Sequence, residues 1–195
     1  MVWFGLEPMV PKHSQQALQL AVGGKYPKLP GFVARRLLGE ADAGKQNPPK
    51  QQTTSEQNQT IQRVAAGFKV ENVGERGVVY HTVFRNRTAV QTHPLNRETP
   101  CVLSRTVDVP VDAKTELKIS VSHHPHGDWQ LRVLAGKEVL KQQIVRSSEV
   151  DKEWLEVTVD LSRFAGHKID LSLENRANDW KNEWAYWHTI QIVSD

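Results

Sequence analysis

The sequence contains a single cysteine, Cys101, and no run of 18 or more apolar residues. One thiol excludes an internal disulfide, a zinc site built on cysteines and a C-x-x-C-H haem attachment within this chain. The missing apolar run excludes a membrane-spanning helix and therefore direct membrane insertion. Cys101 follows Pro100 at a predicted strand start, and we interpret it as a small buried residue rather than as a nucleophile.

The first ten residues, MVWFGLEPMV, lack the basic front and unbroken apolar run of a secretion signal. Two alternatives follow: a cytosolic protein, or the tail of a longer exported protein. Hydrolase signatures are also missing, since the sequence has no G-x-S-x-G, no H-E-x-x-H and no phosphate-binding glycine loop. No carboxylate pair is fixed at a glycosidase separation. We therefore predict a protein that is not an enzyme.

The charge is nearly balanced, with 25 Lys+Arg against 22 Asp+Glu, a net charge of +3. The excess lies in residues 1–75, which hold nine basic and six acidic side chains, whereas residues 76–195 hold sixteen of each. Nucleic-acid binding requires clustered Lys and Arg. The balanced second part therefore predicts no nucleic-acid partner.

Composition and periodicity divide the chain into three zones. Residues 1–39 show helical spacing in short segments, which need a neighbouring surface to be stable. Residues 40–60 contain no large apolar side chain, so we predict a disordered polar linker. Residues 61–195 change to an alternation of apolar and polar side chains and are predicted to form one β-domain.

The alternation is clearest in three segments, whose apolar positions are Leu117, Ile119 and Val121; Leu155, Val157 and Val159; and Ile169, Leu171 and Leu173. Turn residues separate the segments, and no long helical pattern intervenes. Short strands at this spacing indicate an antiparallel sandwich or barrel. The predicted fold class is therefore mainly β.

Aromatic and polar side chains are concentrated around residues 128–129 and 174–187. Aromatic rings can stack on the apolar faces of sugars, while carboxylates and amides bind their hydroxyls. Core packing is the alternative for each tryptophan, and at least one must be structural. The candidate ligand-binding residues are the stacking residues and their polar neighbours: Trp129, Trp180, Trp184, Asp128, Asn175, Asn178, Glu183 and His124.

Metal binding is a weaker interpretation of the same region. His123 and His124 are neighbours on a predicted strand, so their side chains point to opposite faces and cannot easily share an ion. His124, His126 and Asp128 could converge, but a polar turn explains them equally. The carboxylates of residues 128–183 could hold a structural calcium ion, although they lack EF-hand spacing. We assign no metal ligand and no cofactor, and leave calcium open.

Two sets of motifs resemble known families. The turn DLSRFAG at 160–166 resembles the D-L-S-x-[FY]-A-G turn of galactose-binding-like jelly-roll modules. The segments GFKVENVG at 67–74, THPLNRETPCVL at 92–103, HHPHGDW at 123–129 and EWAYW at 183–187 resemble the C-terminal module of planctomycete-type haem-binding dehydrogenase-like proteins, which are membrane-bound dehydrogenase/cytochrome c proteins. Residues 1–10 and 32–36 resemble the helical-repeat region of the same proteins.

The resemblance implies an antiparallel jelly-roll β-sandwich that belongs to an exported, periplasmic or extracytoplasmic assembly. It carries over neither oxidation nor electron transfer, because the chain lacks a propeller and a C-x-x-C-H motif. We expect a non-catalytic accessory module that binds carbohydrate or a protein partner. The alternative is a structural domain without a small ligand, docked on the helical repeats or cytochrome domain of a haem-dependent dehydrogenase.

Overall fold

The computed structural model describes Gln19 and residues 54–148 and 153–195. The chain divides into two units, Met1–Lys50 and Gln51–Asp195. Apart from Gln19, everything described below belongs to the second unit. The helical segment predicted for residues 1–39 and most of the linker predicted for residues 40–60 lie outside the described residues.

A short helix, α1 (Ser55–Gln62), precedes the strands. Thr54 caps it: the Gln57 backbone N–H donates to the Thr54 hydroxyl, and the Thr54 N–H donates to the Gln57 side chain. Residues 54–60 therefore differ from the predicted disordered linker. The capping box and the buried side chain of Ile61 stabilise a helix that the polar composition of this segment did not indicate. Within the described part of the chain, no helix is long and apolar enough to span a membrane.

Within the described residues, ten strands follow α1, and a 3-10 turn, Ser162–Phe164, lies between β8 and β9. In chain order the strands are β1 (Lys69–Glu71), β2 (Val79–Phe84), β3 (Arg87–Thr92), β4 (Cys101–Asp108), β5 (Thr115–His123), β6 (Trp129–Ala135), β7 (Glu138–Val145), β8 (Leu155–Asp160), β9 (Lys168–Arg176) and β10 (Ala185–Ser194).

The strands form two five-stranded antiparallel sheets. The first sheet has the order β1-β4-β9-β6-β7, and the second has the order β2-β3-β10-β5-β8. From β4 onward the chain repeatedly crosses between the sheets, as it does in a jelly roll. The predicted mainly-β, antiparallel sandwich is confirmed.

The core lies between the sheets and consists of the inward side chains that the alternation predicted. Leu117, Val157 and Leu171 are all buried. Cys101 is also buried in this core, which raises the pKa of its thiol to about 12. An un-ionised, inaccessible thiol is a poor nucleophile, and this confirms its interpretation as a packing residue.

The turn between β8 and β9 uses the residues of the DLSRFAG motif. The Ser162 N–H donates to the Asp160 carboxylate at 2.8 Å, and the Ser162 hydroxyl accepts the Thr115 N–H at 3.0 Å. Gly166 has a φ of +78°, an angle that a side chain would strain. The motif therefore closes this end of the sandwich by local hydrogen bonds.

Substitution of Leu173 by Ala tests the position of the core. Leu173 is fully buried on β9, between β4 and β6, so truncation should lower the free energy of unfolding by about 2–5 kcal/mol. The control is Val139→Ala on edge strand β7, where the side chain is 42% exposed and the expected change is about 0.5 kcal/mol or less. Urea unfolding followed by circular dichroism measures both, and equal effects would contradict this packing.

Candidate functional site

One end of the sandwich carries six of the eight predicted site residues on adjoining loops, while Trp129 and Asn175 lie on the strands β6 and β9. We call it the loop end and define it as residues 93–94, 124–128 and 177–184. Its loops meet through hydrogen bonds: the Asn178 amide donates to Asp128 at 2.9 Å, and the Asn182 amide donates to the His126 carbonyl at 3.2 Å. The structure therefore brings the two chemically dense stretches of the sequence together.

Glu183 organises the 177–184 loop from inside the protein. Its fully buried carboxylate accepts the backbone N–H groups of Asn178 at 3.0 Å, of Asp179 at 2.8 Å and of Trp180. Burial raises the pKa of Glu183, and these N–H groups oppose the rise. Glu183 was predicted to bind ligand hydroxyls; instead its oxygens are occupied by the loop that it holds.

Asn175 and Trp129 also differ from the predicted contact roles. Asn175 is fully buried, and its amide donates to the Glu183 carbonyl at 3.2 Å. The indole N–H of fully buried Trp129 donates to the Ser122 carbonyl at 3.0 Å, and its ring centroid lies 5.1 Å from that of Trp187. Trp129 is a core residue and offers no face to a ligand.

Trp184 lies beneath the surface rather than on it. Its side chain is 8% exposed, its ring centroid lies 4.5 Å from that of His93, and the Arg76 guanidinium lies 5.5 Å from the ring. His93 and Arg76, which belong to two other loops, therefore cover the indole of Trp184. The sequence analysis assigned no role to His93 or Arg76, and His93 entered it only as part of the THPLNRETPCVL motif at 92–103.

Trp180 is the exposed aromatic residue of the loop end. Its side chain is 37% exposed, and its ring meets the His93 ring at a centroid distance of 5.2 Å in an edge contact. The φ of Trp180 is +68°, a left-handed angle that is unfavourable for a bulky residue. The bonds to Glu183 compensate this strain, so the loop presents Trp180 in a fixed position.

Polar groups surround Trp180. Asn178 and Asp179 precede it and are exposed, while half-buried Asp128 is tied to Asn178. His124 is half-buried on the facing loop and accepts the His126 N–H at 3.2 Å. Burial lowers the pKa of His124. The predicted contacts that remain accessible are therefore Trp180, Asp128, Asn178 and His124.

Two buried histidines support this surface. His93 donates to the Pro94 carbonyl at 2.8 Å, and His123 donates to the His124 and Gly127 carbonyls at 2.6 and 3.0 Å. Burial lowers the pKa of both rings. Both imidazoles are therefore uncharged at neutral pH and hold the loops by hydrogen bonds.

Three carboxylates approach one another at the loop end. One oxygen from each of Asp128, Asp179 and Glu183 lies within 4.8 Å of the others. These groups could hold a cation, and hard oxygen ligands suit calcium. The histidines of the 123–128 stretch are not part of this group.

Comparison with known proteins finds no family model and no curated protein that matches the chain. Among solved structures, the K1 cleaved adhesin domain of Lys-gingipain from Porphyromonas gingivalis W83 is 11% identical with a TM-score of 0.48, covering 67% of this chain and 92% of that one. A cyclase from Fischerella sp. TAU is 13% identical with a TM-score of 0.45, covering 66% and 84%. The C-terminal CBM6 of LamC from Zobellia galactanivorans is 15% identical with a TM-score of 0.37, covering 64% and 90%. At this similarity they assign neither a ligand nor an activity to the chain.

The contact between the two loops requires a glycine at residue 127. A Cβ there would lie 2.4 Å from the Lys181 carbonyl oxygen and 2.5 Å from that of Asn182. Gly127→Ala should therefore separate the loops and lower the free energy of unfolding by about 1–3 kcal/mol. The control is Gly136→Ala, where a Cβ meets nothing within 4 Å and only the φ of +58° is strained.

Thermal melts and tryptophan fluorescence distinguish the two glycine variants. G127A should destabilise the protein and shift the tryptophan emission, because Trp180 lies on the displaced loop, whereas G136A should leave the emission unchanged. An unaltered emission in G127A would show that the loops do not pack as described.

Substitution of Asp179 by Asn tests the carboxylate cluster. An amide oxygen can still accept the Lys181 N–H, a bond of 2.8 Å in the wild type, while one of three like charges is lost. In chelator at pH 8, D179N should raise the melting temperature by about 2 °C because repulsion falls. Asp112→Asn, on an exposed turn, is the control.

Calcium chloride added to the same melts tests cation binding. A rise in the melting temperature of the wild type that D179N lacks would identify the cluster as a cation site. An unchanged wild-type midpoint would show that it holds no calcium.

Proposed function

We propose that the described domain is a non-catalytic binding module whose ligand is a carbohydrate, bound at the loop end against Trp180. The observation that carries this proposal is the exposure of Trp180 on a turn that a buried carboxylate holds at a left-handed backbone angle. A strained, exposed aromatic residue on a rigid support is typical of a recognition site.

The surroundings of Trp180 favour a sugar over a purely apolar ligand. A pyranose ring has apolar faces that can stack on an indole, and its hydroxyls need partners at the ring edge. Asn178 and Asp128 present donor and acceptor atoms beside Trp180 and are tied to each other at 2.9 Å. Their mutual bond fixes both side chains before a ligand arrives.

A structural or protein-docking domain is the second candidate. Burial of the other described tryptophans favours it, because Trp129, Trp154, Trp184 and Trp187 serve packing rather than recognition. In this alternative, Trp180 would insert into a protein partner such as the helical repeats or cytochrome domain of a parent protein. The polar setting of Trp180 favours the carbohydrate.

We further propose, from the sequence motifs alone, that the module belongs to an exported multidomain protein of the haem-binding dehydrogenase-like type. The motifs at 67–74, 92–103, 123–129 and 183–187 support this context. In such a protein the module would bring substrate polymer or a partner domain close to the other parts and would carry no cofactor of its own.

Substitution of Trp180 by Ala tests the carbohydrate site. In the full chain, W180A should lower the affinity for a neutral polysaccharide that the wild type retains in affinity gels by about tenfold or more, because the stacking surface is lost. Trp180→Phe should retain part of the affinity, and Val83→Ala, at an exposed position in β2, is the control.

Fluorescence separates the two candidates. The other described tryptophans are buried, so ligand-induced changes of emission should vanish in W180F. If no neutral polysaccharide shifts the emission of the wild type, and W180A instead loses a co-purifying helical-repeat or cytochrome domain, the docking alternative replaces the carbohydrate proposal.

A further inference from the structure

The outward face of the first sheet carries a polar groove that lies away from Trp180. The groove has a volume of about 410 Å³. Ser104 and Ser172 are paired across β4 and β9 at its floor, and none of the described residues that line it is aromatic. The side chains used below are Lys69, Glu71, Arg105, Thr106, Asp170 and Ser172.

Charges in the groove cancel. Lys69 and Arg105 oppose Glu71 and Asp170 among its lining residues, and the Thr106 hydroxyl donates to Asp170 at 2.8 Å. A neutral groove rich in hydroxyl groups suits a neutral, hydroxyl-bearing ring. It does not suit a polymer with a charge at every unit, such as a nucleic acid.

An unbalanced charge cluster continues the groove along β9. One carboxylate oxygen of Glu174 forms an ion pair with Arg132 at 3.3 Å and accepts a hydrogen bond from Arg176 at 3.2 Å. All three side chains are half-buried, and the Nε atom of Arg132 is buried without a hydrogen-bond partner. Within this cluster two guanidinium groups face one carboxylate, so the three side chains together carry a net charge of +1.

The groove and the cluster form one strip. Ser172 and Glu174 are successive outward positions on β9, with the buried Leu173 between them, so they lie about 7 Å apart. Arg132 lies directly opposite Glu174 on β6. A polymeric ligand that places one ring over Ser172 would therefore bring a substituent of its next ring to Arg132 and Arg176.

We propose that this strip is a second binding site, for a saccharide chain that bears isolated acid groups, carboxylate or sulfate. The hydroxyl-lined groove accepts the sugar ring, and the Arg132–Arg176 pair accepts the acid group by charge-assisted hydrogen bonds. The proposal extends the proposed carbohydrate binding to another surface, and its variants leave Trp180 intact.

The test measures binding of the full chain to hyaluronan, which bears one carboxylate in every second sugar unit, to κ-carrageenan, which bears one sulfate in every second unit, and to uncharged dextran, by isothermal titration calorimetry. Arg132→Met keeps the aliphatic stem and removes the charge, and it should lower the affinity for the acidic polymer by about tenfold or more. Lys137→Met, on the exposed β6–β7 turn, makes the same change in net charge and should have little effect. Comparing the two acidic polymers distinguishes carboxylate from sulfate.

The substitution Glu174→Gln should change the affinity for the acidic polymer in the opposite direction. It removes the internal counter-ion of both arginines, so it should tighten binding of the acidic polymer, a gain that misfolding cannot imitate. Three results would overturn the proposal. R132M and K137M could lose the same affinity for the acidic polymer, or the wild type could bind polyglutamate or single-stranded DNA as tightly as the acidic polysaccharide. The third is that the wild type binds neither acidic polysaccharide. Since W180A with a neutral polysaccharide tests the loop end, failure at one site is distinguishable from failure at the other.

Discussion

A buried carboxylate fixes the loop on which the proposed binding surface depends. Glu183 lies at the end of the sandwich with no exposed area, and successive backbone N–H groups of one loop bind its oxygens. Burying an ion without partners would be strongly unfavourable, and the N–H groups offset part of that penalty. The same bonds impose the left-handed turn at Trp180, so the loop cannot relax without exposing unpaired polar groups inside the protein.

This constraint also explains how the aromatic side chains are distributed. Trp129 and Trp187 lie between the sheets, and each finds a partner for its indole N–H, the Ser122 carbonyl and the Thr92 hydroxyl. Trp184 lies one position beyond Glu183 and packs under His93. The left-handed backbone at Trp180 leaves its indole as the exposed one among the described tryptophans, so its exposure follows from the loop rather than from composition.

Alternation along the strands was sufficient to predict the two sheets, because the inward positions Leu117, Val157 and Leu171 are set by local sequence. The helix at residues 55–62 was not predicted, because residues 40–60 were assigned to a linker from their polar composition. Ile61, the buried residue of this helix, lies just outside that range. The proximity of the two polar stretches was predictable, but the burial of Glu183 and Trp184 was not. Their burial depends on contacts from loops distant in sequence, which no local pattern encodes.

Strand β9 connects the core, the loop end and the polar strip. Its inward residues Leu171 and Leu173 fill the core, its outward residues Ser172 and Glu174 belong to the strip, and Asn175 binds the Glu183 carbonyl. Because side chains of a strand alternate between faces, changes on the outward face leave the core residues untouched. The two surfaces can therefore differ in charge and ligand while they share one rigid support, and their affinities should change independently.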